Sequence, residues 1–88
     1  MAARLKTSSV SDLNTAATTN GVSTNVGAYF AKFGSTTSNK PGSAGIVMGF
    51  YYTANSEVQL AIVAGDEKIY TRAKSSGTWG SWKSFTGT

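Results

Sequence analysis

The second half of the chain alternates. Over residues 57–64, Val58, Leu60, Ile62 and Ala64 fall on one side of an extended backbone, and Glu57, Gln59, Ala61 and Val63 fall on the other. A side-chain period of two belongs to a β-strand and not to a helix. Residues 46–53 repeat the pattern, with Ile46, Met48, Phe50 and Tyr52 on one face and Val47, Gly49, Tyr51 and Thr53 on the other. Both of those faces are fairly apolar, which places this strand in the middle of a sheet. Residues 68–74 supply a third run. Ile69, Thr71 and Ala73 are expected to face inward, leaving Tyr70, Arg72 and Lys74 as a basic, aromatic outer stripe.

Turn chemistry separates the runs. Gly65-Asp66-Glu67 reads as a tight hairpin connection, Ala54-Asn55-Ser56 as a turn, and Ser75-Ser76-Gly77-Thr78 as another. Residues 26–33 form an earlier strand, and residues 79–85 close the domain. Residues 34–43 are a loop by composition, with Pro41-Gly42 as the centre of a type II turn. Upstream, Ser11-Asp12-Leu13-Asn14 has the residues that bond their own backbone in caps. One helical turn starting near Ser11 fits, and Thr18-Thr19-Asn20-Gly21 ends it. Val10 and Leu13 are the residues expected to pin this segment to a core. The fold class expected is all-β: a small antiparallel sheet or sandwich of four to five strands, with a short N-terminal turn or helical segment. Residues 1–10 read as a linker and residues 11–88 as one domain.

The chain has 88 residues, no cysteine and no histidine. A domain of that size buries only about 60–65% of its unfolded surface. Neither a disulfide nor a thiolate–imidazole metal site can staple it. Small scaffolds without such staples often gain stability by oligomerising. Ser, Thr, Asn and Gly make up 39 of the residues, yet ten aromatics are present, which argues against a disordered tail. The net charge of +4 is scattered along the chain and makes no nucleic-acid footprint. No apolar window reaches the ~20 residues of a membrane span. Residues 1–6 lack the apolar run of a signal peptide.

Catalysis is not expected. The carboxylates are Asp12, Glu57, Asp66 and Glu67. Glu57 lies at the far end of its strand from the other two of that region, roughly 25–30 Å away at ~3.3 Å per residue. A glycosidase pair needs about 5–10 Å. Serine is plentiful, but no histidine is present to activate it. No cofactor is implied.

The residues that stand out are suited to binding. Trp79 and Trp82 lie three apart, which in an extended chain puts them on opposite faces, one in the core and one outward to stack on a sugar ring. Arg72 and Lys74 offer cations to the carboxylates or phosphates of an anionic glycan, beside the phenol of Tyr70. Tyr51 and Tyr52 point to opposite faces, so at most one is core and the other meets a ligand or a neighbouring chain. The loop over residues 34–43 is a possible recognition loop on a rigid sheet. Each of these also has a structural role open to it, as a core plug, a charged strand face or a solvated connection.

One run of motifs resembles a known family. Ile69-Tyr70-Thr71-Arg72 leads through Ser75-Ser76-Gly77-Thr78 to Trp79-Gly80-Ser81-Trp82-Lys83. This resembles the ending of the pyocin-knob-type domains of phage tail fibres and tail-like bacteriocins, where an I-Y-x-R strand turns into a G-x-W-x-x-W ending. Asp12-Leu13-Asn14-Thr15 is similar to the family's D-L-N-T opening, and Gly27-Ala28-Tyr29-Phe30 to its G-x-Y strand start. Gly45-Ile46-Val47-Met48 with Val58-Gln59-Leu60 resembles its central strand pair. The segment over residues 16–26 departs from the pattern, being longer and lacking proline.

The resemblance implies a non-enzymatic knob or tip module of a tail fibre, in a virion assembled in the host cytoplasm. Residues 1–10 would then be a fibre-proximal segment. Its partners would be a bacterial surface glycan (lipopolysaccharide or capsule), other tail-fibre segments, and two further copies in a homotrimer. The alternative is a structural trimer clamp or spacer with no receptor site of its own.

Overall fold

The computed structural model describes residues 7–19, 26–66 and 68–86. The alternating runs become one sheet. Its strands are β1 (Thr7–Ser9), β2 (Gly27–Phe33), β3 (Gly45–Thr53), β4 (Ser56–Val63), β5 (Lys68–Ser75), β6 (Thr78–Trp79) and β7 (Lys83–Thr86). They lie in the order β1-β2-β3-β4-β5-β6, and β7 also pairs with β5. Every pairing is antiparallel except that of β1 with β2. The all-β class therefore holds, with four long strands flanked by three short ones. As expected, β3 is central.

Local chemistry sets the connections. Ser76 (φ 52°) and Gly77 (φ 83°) are both left-handed. That is the geometry of a two-residue hairpin turn between the Ser75–Thr78 pair. The turn expected at Pro41-Gly42 takes another form. Gly42 has no positive φ, and the left-handed residue of that loop is Asn39 (φ 61°). An asparagine tolerates this conformation better than most side chains.

The N-terminal segment covers one face of the sheet. Asp12 accepts the Asn14 N–H at 2.9 Å and opens a 3₁₀ turn, Leu13–Thr15, which runs into a single-turn helix α1 (Ala16–Thr19). Leu13, Ala16 and Ala17 are buried, at the i, i+3, i+4 spacing of one helical face. With Val10 they pack over Tyr29, Ala31, Phe33, Val47, Tyr51, Ala61 and Val63. Each fully buried large side chain of that set contributes roughly 1.5–3 kcal/mol.

The linker assigned to residues 1–10 needs correction at its end. Thr7–Ser9 pair in parallel with Phe30, Ala31 and Lys32, and Val10 is in the core. The domain thus includes at least residues 7–10, because they cover the open edge of β2. Residues 1–6 lie outside the described residues.

The direction of the faces is the main correction. The buried face carries Glu57, Gln59, Ala61 and Val63 from β4 and Arg72 from β5. Ile69, expected to face inward, is exposed, as is Ala73, while Thr71 is half-buried. Val47, Tyr51 and Val63 are core residues.

Two things allow the more polar face to be buried. Gly49 and Ala61 leave room: a Cβ on Gly49 would collide with the ring of Tyr29, its partner on β2. A hydrogen-bond network then satisfies most of the polar groups. Tyr29 Oη donates to Glu57 Oε2. Gln59 Nε2 donates to Tyr29 Oη and to the Leu13 carbonyl, both at 2.8 Å. Arg72 Nε donates to Gln59 Oε1 at 2.8 Å.

Candidate functional site

Arg72 is 6% exposed and lies between two indoles. Its Cζ is 4.0 Å from the ring centroid of Trp79 and 4.7 Å from that of Trp82. Both distances are within cation–π range. The two tryptophans therefore meet one guanidinium, and the expectation of opposite faces fails.

The register shows why. Trp79 pairs with Lys74, whereas Lys83 pairs with Thr71. Between those pairs the last strand advances one residue more than β5 does. Gly80 N–H still bonds the Ala73 carbonyl at 2.9 Å, so Ser81 and Trp82 together stand opposite Arg72. This is a β-bulge, and it reverses the alternation at that point. The W-G-S-W spacing thus brings both indoles to the side of the sheet from which Arg72 projects.

The rest of the cluster is tied down as well. Trp82 Nε1 donates to the Asn39 carbonyl at 3.0 Å and so fastens the 34–43 loop to the last strand. Asn39 Nδ2 in turn bonds Asp12 Oδ1 at 2.8 Å. Thr37 Oγ1 donates to the Val10 carbonyl at 2.8 Å, and Lys40 Nζ binds the carbonyls of Ser35 and Thr37. The suggested recognition loop is thus fixed by its own bonds. Lys74 is half-buried, with Nζ 5.8 Å from the Trp79 ring. Tyr70 is half-buried, and its hydroxyl donates to Asp66 Oδ2 at 2.8 Å. Tyr51 is buried and Tyr52 is 68% exposed.

Burial shapes the titrations of the network. It pulls Arg72 down to about 10, which still leaves a cation at neutral pH. Burial pushes Tyr29 far up, and its bond to Glu57 adds to the shift. Burial also raises Glu57, against the opposing pull of Tyr29, Lys74 and Arg72. Arg72 Nη2 and Trp79 Nε1 are buried without a hydrogen-bond partner. For Arg72 the indole faces supply the counter-charge instead.

Of the six candidate ligand residues, Arg72, Trp79, Trp82 and Lys74 thus form one internal unit, with Tyr51 in the core and Tyr70 held by Asp66. Chemically this unit is suited to holding the last strand and the loop in place. Among the described residues, no group of three or more His, Cys, Asp or Glu side chains is placed to hold a metal ion. No helix there is long and apolar enough to cross a membrane.

The opposite face is the part that sequence reasoning missed. Ile46, Phe50, Val58 and Ile62 are 45–56% exposed, and Ile69 and Phe85 share their side of the sheet. Phe30, Ile46, Met48, Leu60 and Ile62 line a groove of about 410 Å³ across it. The signal was present in the sequence as the more apolar of the two alternating sets, but on β5 the set on this side, Ile69, Thr71 and Ala73, was expected to face inward. Compared with family models, curated proteins and solved structures, the chain matches none.

Proposed function

We propose that this chain is a non-enzymatic assembly module of a phage-type tail fibre, a clamp or spacer that joins other protein through its apolar sheet face. The observation that carries this is the open face itself. Large side chains at about half exposure cover the middle of a sheet whose other face is already packed. An apolar patch of this breadth on a small soluble domain marks an interaction surface. Burial of Arg72 supports the same conclusion, because it removes the cation that a saccharide site would have used. The fibre setting, in a virion and as a trimer, rests on the resemblance of the motifs.

The test is co-expression of the chain with its neighbouring fibre segments. Ile69→Lys on the open face should abolish incorporation, and Tyr70→Ala should leave both incorporation and host adsorption unchanged. Normal incorporation of Ile69→Lys would overturn the assembly role.

One observation favours attachment to a bacterial surface saccharide as a second function. The two hydroxyl- and amide-rich turns at residues 53–56 and 75–78 meet at one end of the sheet, where Gly77 N–H bonds the Asn55 carbonyl at 3.1 Å. Exposed Tyr52 and half-buried Lys74 flank them. Such an end offers hydrogen bonds, a stacking ring and a cation together. A glycan array with the purified chain reads this directly. Binding lost in Asn55→Ala supports it, and no binding to any glycan or host cell dismisses it.

A further inference from the structure

The open face has a chemistry that selects its partner. Along β3, Ile46 to Tyr52 spans about 20 Å at ~3.3 Å per residue, and β2 to β7 spans about 19 Å at ~4.8 Å per strand. Across its middle strands the side chains of that rectangle are aliphatic or aromatic apart from Thr71, and the charges on this side among the described residues, Lys32 and Lys83, stand on its two outer strands. Among the described residues, no carboxylate on this side calls for a basic partner, and no cation at its centre calls for an acidic one.

The relief is also self-complementary. The groove lies at the Gly45–Ile46 and Ile62–Ala64 end, while Phe50 and Val58, a cross-strand pair, stand at the other. A half-turn about an axis lying between the two faces and running across the strands near Leu60 sets the Phe50 of one copy over the groove of another.

We infer that the apolar face packs against the same face of a second copy of this chain. The inference rests on the assembly role proposed above and names its partner. The area suffices. Six large side chains at about half exposure, Ile46, Phe50, Val58, Ile62, Ile69 and Phe85, leave on the order of 600 Å² to be covered per copy, close to the ~800 Å² per partner of a standard interface. The sheet dimensions fit too. Two sheets stack about 10 Å apart. Three faces ~19 Å wide closing a triangular prism stand about 5.5 Å from its axis, near half that spacing. The face is therefore covered in a dimer or in a trimer, and the lysines remain in water at the rim, where salt screens them.

The experiment is light scattering on the purified full chain over a concentration series, with two variants. The wild type should have the mass of two or three chains. Ile62→Lys, at a half-exposed position, should keep the β-sheet circular dichroism and fall to the mass of one. The chain has no cysteine, so Leu60→Cys under oxidation should give a cross-linked pair, which Thr36→Cys on an exposed loop should not. A wild type that stays monomeric and a Leu60→Cys variant that fails to cross-link would overturn the inference. So would a monomer that moves instead onto lipid vesicles. If the isolated chain is monomeric and Ile69→Lys still blocks incorporation with fibre segments, the partner is a different chain and the assembly role survives. If the chain self-associates but Ile69→Lys incorporates normally, this inference stands and the fibre role fails.

Discussion

Arg72→Ala separates a scaffold from a binding site. The substitution removes three things. It leaves Gln59 Oε1 buried without its donor, which costs about 1–3 kcal/mol. It deletes two cation–π contacts at 4.0 and 4.7 Å, each worth roughly 0.5–2 kcal/mol where water is excluded. It also opens a space between the two indoles. Against this, a poorly solvated cation with an unpaired Nη2 is lost, which returns about 1–2 kcal/mol. The net loss is about 2–4 kcal/mol, a large share of what a domain of this length holds. At ~4–8 °C per kcal/mol the melting temperature should fall by at least about 8 °C. Urea unfolding followed by tryptophan fluorescence reads this directly, since both indoles line the site. Arg72→Met, which keeps the stem, should lose clearly less. A double-mutant cycle with Trp82→Ala should give a coupling of about 0.5–2 kcal/mol. An Arg72→Ala variant that melts within about 2 °C of wild type while losing attachment to bacteria would refute the scaffold role and restore Arg72 as a ligand group.

Two further outcomes follow from the network and the close packing. Glu57 is raised above its ordinary value of 4.5, so the folded chain keeps this proton where the unfolded chain has lost it. Its contribution to stability is present at acid pH and lost as pH rises through the folded value. Glu57→Gln should therefore raise the urea midpoint at pH 7 and flatten the stability profile between pH 4.5 and 7 relative to wild type; a lower midpoint at pH 7 would contradict this. Gly49→Ala forces a methyl into the Tyr29 ring and should cost about 1–3 kcal/mol by urea unfolding, whereas Gly34→Ala, where a Cβ meets open space, should cost well under 1 kcal/mol.

How far the sequence could be read follows from what alternation encodes. A period of two locates strands, and it found the long ones and their turns. It does not say which of the two sets faces inward, because both are consistent with the same backbone. On β5 the set with Ile69, Thr71 and Ala73 was expected inside, and it is the outer one. The choice was decided elsewhere: Leu13, Ala16 and Ala17 cover the side with Ala31, Gly49 and Ala61, and the Gln59 amide links strand and cover. That contact joins residues 46 positions apart, and no local pattern contains it. The Trp79–Trp82 spacing was misread because a bulge is one inserted residue, visible only against the register of β5. Asp12 as a cap was legible, because a cap is local chemistry. The motif that carries the family resemblance proved to be one physical unit, a guanidinium held between two rings.

The margins of the sheet have a consequence of their own. On one side the ladder ends in the three residues of β1, and on the other in two short strips, Thr78–Trp79 and Lys83–Thr86, with the bulge between them. Among the described residues, neither margin offers the long straight row of free amides that templates growth of an amyloid-like ribbon. A greasy surface is tolerable in a crowded cell when hydrogen-bonded extension is blocked sideways. With copies packed through the apolar face as inferred above, adhesion would be directed across the plate and stop once that surface is occupied, and association would end in a small closed particle rather than an endless filament.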